Sequence, residues 1–167
     1  PQATAQASAA PGGDIERPTQ FAEGLSYAEQ IAACGPAGIA WFIARTGRPP
    51  QTVAEVRTAA AATQDWDPGS GMHGASATAR VLRNAGVAAH VEDGVDWTKV
   101  RRDVATGNPV MFDTDAGSAG HYFTVQNARQ RPDGQWEYDL GTSATDLRSS
   151  GGRRWFTAEE VPGLGFG

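Results

Sequence analysis

The sequence predicts an α+β fold, with helices through the first two thirds of the chain and an antiparallel sheet after them. Three observations carry this. An apolar run follows Cys34 through Ile43 and closes at Gly47; it is long enough for a helix and ends as helices end. Thr52 with Glu55, and Asp96 ahead of Trp97, mark two further helix starts, because such side chains accept from N–H groups that have no partner in the first turn. Beyond Pro109 the pattern changes to short runs of apolar, β-branched and aromatic residues, two of them separated by the turn signal Arg131-Pro132-Asp133-Gly134. Helices followed by strands is the α+β order.

Taken in order, residues 1–20 are rich in Ala, Gln, Thr, Ser, Pro and Gly and read as a linker. A folded domain is expected over 21–161, and a loop-like tail, rich in glycine, over 162–167. Both ends read as joins to a longer chain. The first helix is expected over 34–46, with Pro36 in its first turn, where a missing N–H costs nothing. A second, alanine-rich helix runs to about Thr63, and the glycine-dense stretch from Trp66 to Gly74 reads as a loop. A third helix covers 75–85 and stops at Gly86; a short strand is expected over 87–91, and a helix over 97–106, closed by Gly107. Strands are expected over 109–112, 122–126 and 136–140, and Thr157 with Glu160 marks a short C-terminal helix.

Bulk properties narrow the function. With 167 residues, 40% of them hydrophobic, the chain can bury a core of its own. A net charge of −5 argues against a nucleic-acid partner. No apolar run is long enough to span a bilayer, and the polar start lacks the basic and apolar regions of a signal peptide. One cysteine excludes an internal disulfide and leaves the compartment open. No phosphate-cradling glycine motif, zinc-binding cysteine cluster or other cofactor or metal signature is present.

The chemistry centres on Cys34. At the mouth of an apolar helix, free N–H groups and the positive end of the helix dipole favour a thiolate. A base and an orienting acid follow in order. His121 opens one strand of the hairpin and Asp139 closes the other; a hairpin centred near residue 130 would set position 121 opposite 139 or 140, with a margin of a residue or two for a bulge. His73 is a weaker candidate base, having no evident acid on a neighbouring strand. Asp113 and Asp115 read as solvated loop carboxylates, and His90 as a surface residue. The rim Gly71, Met72, His73 and Gly74 reads equally as a substrate wall or as a plain connection.

Ala33-Cys34-Gly35-Pro36-Ala37, Gly120-His121-Tyr122-Phe123-Thr124-Val125 and Tyr138-Asp139-Leu140-Gly141 together resemble the papain-like cysteine peptidases, above all the bacteriocin-processing peptidases that remove double-glycine leaders. The resemblance covers residues 21–161. It implies a papain-like fold with the nucleophile helix packed on an antiparallel sheet, and the roles nucleophile, base and orienting acid for Cys34, His121 and Asp139. That family places an oxyanion-hole glutamine about six residues before the cysteine. Position 28 is alanine here, which leaves Gln30 as the nearest substitute. A looser resemblance, carried by Tyr27-Ala28-Glu29-Gln30, the loop from Trp66 to Gly74, Val95-Asp96-Trp97 and Leu147-Arg148 with Gly151-Gly152, is to peptidase-like domains of bacteriophage tail tape-measure proteins. It implies a virion tail or a secreted chain as the setting, and other tail proteins as partners. The expected function is hydrolysis of a peptide or protein substrate by a Cys-His-Asp triad. Two alternatives stay open: a non-catalytic structural or binding module, and a toxin or deamidase domain using the same three groups. The sequence does not fix the oligomeric state.

Overall fold

The computed structural model describes residues 18–114, 121–142 and 154–163, with Thr114, His121, Thr142 and Gly163 described by backbone alone. The linker over 1–17, the loop 116–120, Asp115, residues 143–153 and the tail 164–167 lie outside that set. The fold is mixed α+β, with five helices and two antiparallel sheets among the described residues.

The chain enters through Gln20, which the sequence places in the linker. Its side chain is buried and donates to the carbonyls of Gln30 and Ile31 (3.0 and 3.2 Å). Helix α1 (Tyr27–Ile31) begins at a capping box in which Ser26 and Glu29 satisfy each other's backbone N–H. Helix α2 (Cys34–Arg45) is the centre of the molecule. It is apolar nearly all round, and such a helix must be covered on every side. Two glycines let its neighbours approach. A Cβ on Gly35 would lie 2.1 Å from Cγ of Met72, and one on Gly38 would lie 2.6 Å from Cε of Met111. The helix stops at a Thr46 C-cap followed by Gly47 in the left-handed region (φ 79°).

Helix α3 (Val53–Ala62) starts at the expected Thr52–Glu55 capping box. The glycine-dense stretch after it is a small hairpin, β1 (Trp66–Asp67) with β2 (Gly71–Met72), and helix α4 (Gly74–Asn84) follows directly. The strand expected over 87–91 does not form; that segment turns on itself through Ala89 N–H to Val87 O and pairs with no strand among the described residues. Asp96 caps α5 (Trp97–Ala105), as expected.

The main sheet runs β3-β4-β5-β6, from β3 (Val110–Thr114) through β4 (His121–Gln130) and β5 (Trp136–Thr142) to β6 (Trp155–Phe156). The turn between β4 and β5 forms at the residues that signal it, with Gly134 N–H donating to Arg131 O. Strand β6 has no counterpart in the sequence reading. Beyond it Thr157 and Glu160 bond as a cap, but only a 3₁₀ turn (Val161–Gly163) follows, because Pro162 cannot continue an α-helix. Helix α2 packs on one face of this sheet. There Trp41 donates its indole N–H to the Gln126 side chain (3.3 Å), and Arg45 donates to the Gln126 carbonyl (3.4 Å). Helix α5 covers the other face, over Phe123, Val125 and Leu140. No helix among the described residues is long and apolar enough to cross a membrane.

Candidate functional site

Cys34 is the first residue of α2, and its N-cap, Ala33, has no side chain with which to occupy the free N–H groups. The backbone N–H groups of Tyr122 and Gly35 lie near the sulfur and favour its charged form. Burial nonetheless outweighs these donors and pushes the thiol above its ordinary value, and the nearby Asp113 carboxylate pushes the same way. The resting thiolate expected from the helix dipole is therefore corrected. Desolvation wins because Cys34 sits under neighbouring structure and not at an open helix end.

Position 121 is brought close by its neighbour in the chain. His121 opens β4 opposite Thr114, and the backbone N–H of the next residue, Tyr122, lies near the thiol. The side chain of His121 lies outside the described atoms. Tyr122 is fixed from a second direction, since its hydroxyl accepts from Thr78 on α4 (3.3 Å).

The register separates Asp139 from this point. Phe123 pairs with Thr142 and Val125 with Leu140, so the residue opposite 121 falls beyond the end of β5. Asp139 lies five residues further along, opposite the bulge between Val125 and Ala128. At about 3.3 Å per residue this is on the order of 16 Å. Its fully buried carboxylate receives Nε (3.0 Å) and Nη2 of Arg154. The expectation that 121 faces 139 or 140 is thus overturned, and Asp139 is placed in the sheet, next to Trp155 of β6. Asp113 is the carboxylate whose charge acts on the thiol. It pairs with Tyr122, and it shares a face of β3 with Met111, which touches α2 at Gly38. Alternation from Met111 was the available signal; reading Asp113 as a loop residue hid it.

Gln30 is also reassigned. Its side-chain N–H donates to the carbonyl of Ala22 (3.1 Å), which ties the entering chain to α1. That use leaves the expected oxyanion role without geometric support.

The rim behaves as two parts. Gly71 and Met72 do lie against the start of α2. Trp66 donates its indole N–H to Ala32 O (2.8 Å), Met72 fills the space over Gly35, and a Cβ on Gly71 would come 3.3 Å from Ala32 O. His73 and Gly74 turn the chain into α4, with Gly74 at φ 90°. His73 has the acid partner that the sequence reading denied it. Its Nε2 lies 2.7 Å from Oδ2 of Asp67 on the adjacent strand, and its Nδ1 lies 2.8 Å from Gln64 O. Both nitrogens face acceptors, so the ring favours its doubly protonated form and its pKa is raised. The Asp67 carboxyl is held well below the usual range by Ser70, His73 and the turn N–H groups. Ser70 shares the Asp67 oxygen and stands 3.2 Å from the same Nε2. With that nitrogen donating to Asp67, no lone pair remains to activate the serine, so this is a structural cluster and not a hydrolytic triad.

No group of three or more His, Cys, Asp or Glu side chains among the described residues is placed to hold a metal. No protein-family profile, curated protein or solved structure matches this chain.

Proposed function

We propose that the chain is a papain-like cysteine peptidase in which Cys34 is the nucleophile and His121 the base. The observation that carries this reading is the sulfur of Cys34 at the first position of a buried helix, against the N–H of the residue that follows His121. With the thiol raised, its proton leaves during attack: His121 takes it as the sulfur bonds to the carbonyl carbon, then delivers it to the leaving amine. Water releases the acyl group by the same route in reverse. The backbone N–H of Cys34 serves the oxyanion. Asp139 supports the sheet through Arg154, and Asp113 lies one position out of phase with His121 on the paired strands, so neither carboxylate is assigned as the orienting acid. Deamidation or transamidation would use the same groups. A phage tail or a secreted chain is the setting suggested by the looser resemblance.

A second reading, a binding module that keeps the fold without turnover, is favoured by two observations, the raised thiol and the commitment of Gln30 to Ala22. Hydrolysis of a broad peptide library by the wild-type chain separates the two. The peptidase reading expects cleavage that Cys34→Ala abolishes while the circular dichroism spectrum is unchanged. No cleavage by the wild type, or equal cleavage by both proteins, defeats it.

A further inference from the structure

A cavity of about 610 Å³ opens among α2, α4, α5 and β3, a volume within the range of small-molecule sites. Its long direction follows β3, since every residue from Pro109 to Asp113 lines it, about 13 Å of strand. The packing of α2 on that strand fixes which end is which. Asp113 acts on Cys34 at the start of α2, and Met111 meets Gly38 one turn further on. Helix and strand therefore run in opposite directions, and Pro109 lies toward Thr46 and Arg48, past the end of α2. Between the ends, Phe42, Leu82 and Met111 make the walls apolar.

The charges are unevenly placed. The Pro109 end holds one of each sign: Arg48, whose guanidinium lies against Gly86, and Asp103, whose carbonyl accepts from the Asn108 N–H. At the side, Lys99 pairs with Glu92, and the Asp96 carboxylate accepts from the first N–H groups of α5. The other end carries Asp113, paired across the strands with Tyr122, whose hydroxyl bonds to that of Thr78. The negative charge of Asp113 is felt there. Burial comes first in raising both the Cys34 thiol and the Tyr122 phenol, and Asp113 adds to each. An amphipathic occupant is oriented by this layout. Its hydrocarbon covers the apolar middle, and a positive head is drawn to Asp113, where the ring of Tyr122 also favours a cation. A negative head is repelled from that end and meets Asp103 as well as Arg48 at the other.

We propose that this cavity is a binding site for a small amphipathic amine, its ammonium at Asp113 and its hydrocarbon along Met111 and Leu82 toward Phe42. The site stands apart from the peptidase reading: Cys34 lies outside the lining, and no bond is made or broken in the occupant. It acts on the thiol through charge alone. An ammonium beside Asp113 offsets the carboxylate, so the thiol ionises at lower pH when the site is filled.

The test uses the full chain and octylamine as the probe, with octanoate and octanol as chains of the same length carrying a negative and a neutral head. Calorimetry should show octylamine binding, and octanoate binding roughly tenfold more weakly. Asp113 is exposed, so water screens its ion pair and Asp113→Asn should weaken octylamine by about threefold to fivefold. Ala75→Trp, at an exposed position of the lining about one turn before Thr78, should block the Asp113 end and abolish the binding. Circular dichroism checks that both variants fold. Saturating octylamine should move the rise of Cys34 alkylation by iodoacetamide, read by mass spectrometry, to lower pH. Octanoate or octanol binding as tightly as octylamine overturns the choice of ligand. No binding by the wild type, or binding indifferent to both substitutions and so mere adsorption to an acidic surface, overturns the site. An alkylation profile unchanged by bound octylamine overturns the placement of the ammonium.

Discussion

Cys34 and His73 sit on adjoining pieces of structure, and both titrate above their ordinary values for opposite reasons. The thiol is raised because burial withdraws water from its charged form. The imidazole is raised because a carboxylate and a carbonyl hold its charged form in the open. In the proposed reaction the first shift keeps the nucleophile neutral until a base removes its proton. The second locks a turn and leaves nothing to give or take. A pKa displaced in the same direction thus accompanies a buried thiol in one place and a structural clamp in the other, and the identity of the surrounding atoms tells them apart. The two are joined by Met72, which follows the β1–β2 turn and lies over Gly35.

The largest expected effect breaks the comparison on the chemical side. His121→Ala should lower the turnover of a peptide substrate by roughly 10²–10⁴-fold, the usual contribution of a general base. His73→Ala should leave turnover within about twofold. Equal losses in steady-state kinetics would mean that the assignment of the two histidines is wrong.

The seam comes next. Gly35→Ala places a methyl against Cβ and Cγ of Met72, near the root of that side chain, where it cannot easily swing away. Overpacking of this kind costs about 1–3 kcal/mol, read as a lower midpoint in urea. Met72→Ala in the same chain should restore part of the loss; a Gly35→Ala protein as stable as the wild type would place Met72 elsewhere.

The clamp itself is pH-dependent. His73 has a folded pKa above its unfolded value, so its contribution is fully present below about pH 6.5 and is lost as pH rises through the folded value. Asp67 is depressed, so its contribution is present above its unfolded value and is lost as pH falls. An NMR titration should show the His73 ring protons moving above pH 6.5, and Asp67→Asn should return the midpoint toward the unperturbed value. A wild-type midpoint at or below 6.5 contradicts the clamp.

The smallest effect sharpens the thiol side. Iodoacetamide should alkylate Cys34 slowly at neutral pH, with the rate climbing only above about pH 8.5. Asp113→Asn removes a neighbouring negative charge and should move that rise to lower pH. A rise already complete at pH 7 in the wild type would restore the preformed thiolate that the helix start alone suggests.

What the sequence determined by itself is the local structure. Helix α2 and its Gly47 stop, the Thr52–Glu55 and Asp96 caps and the turn at Arg131–Gly134 all form where their residues predict. Each depends on atoms a few positions apart, so the rule and its outcome lie in the same short window. Tertiary structure decided the rest. The β4–β5 hairpin is centred near residue 133 and not near 130, and the bulge between Val125 and Ala128 moves the pairing by only one residue; that register, with the pairing of β6, leaves Asp139 to Arg154. Burial reversed the direction of the thiol's shift, and the β1–β2 pairing gave His73 its acid. Desolvation and cross-strand partners depend on which segments pack together in space, and a residue's neighbours in the chain do not specify those.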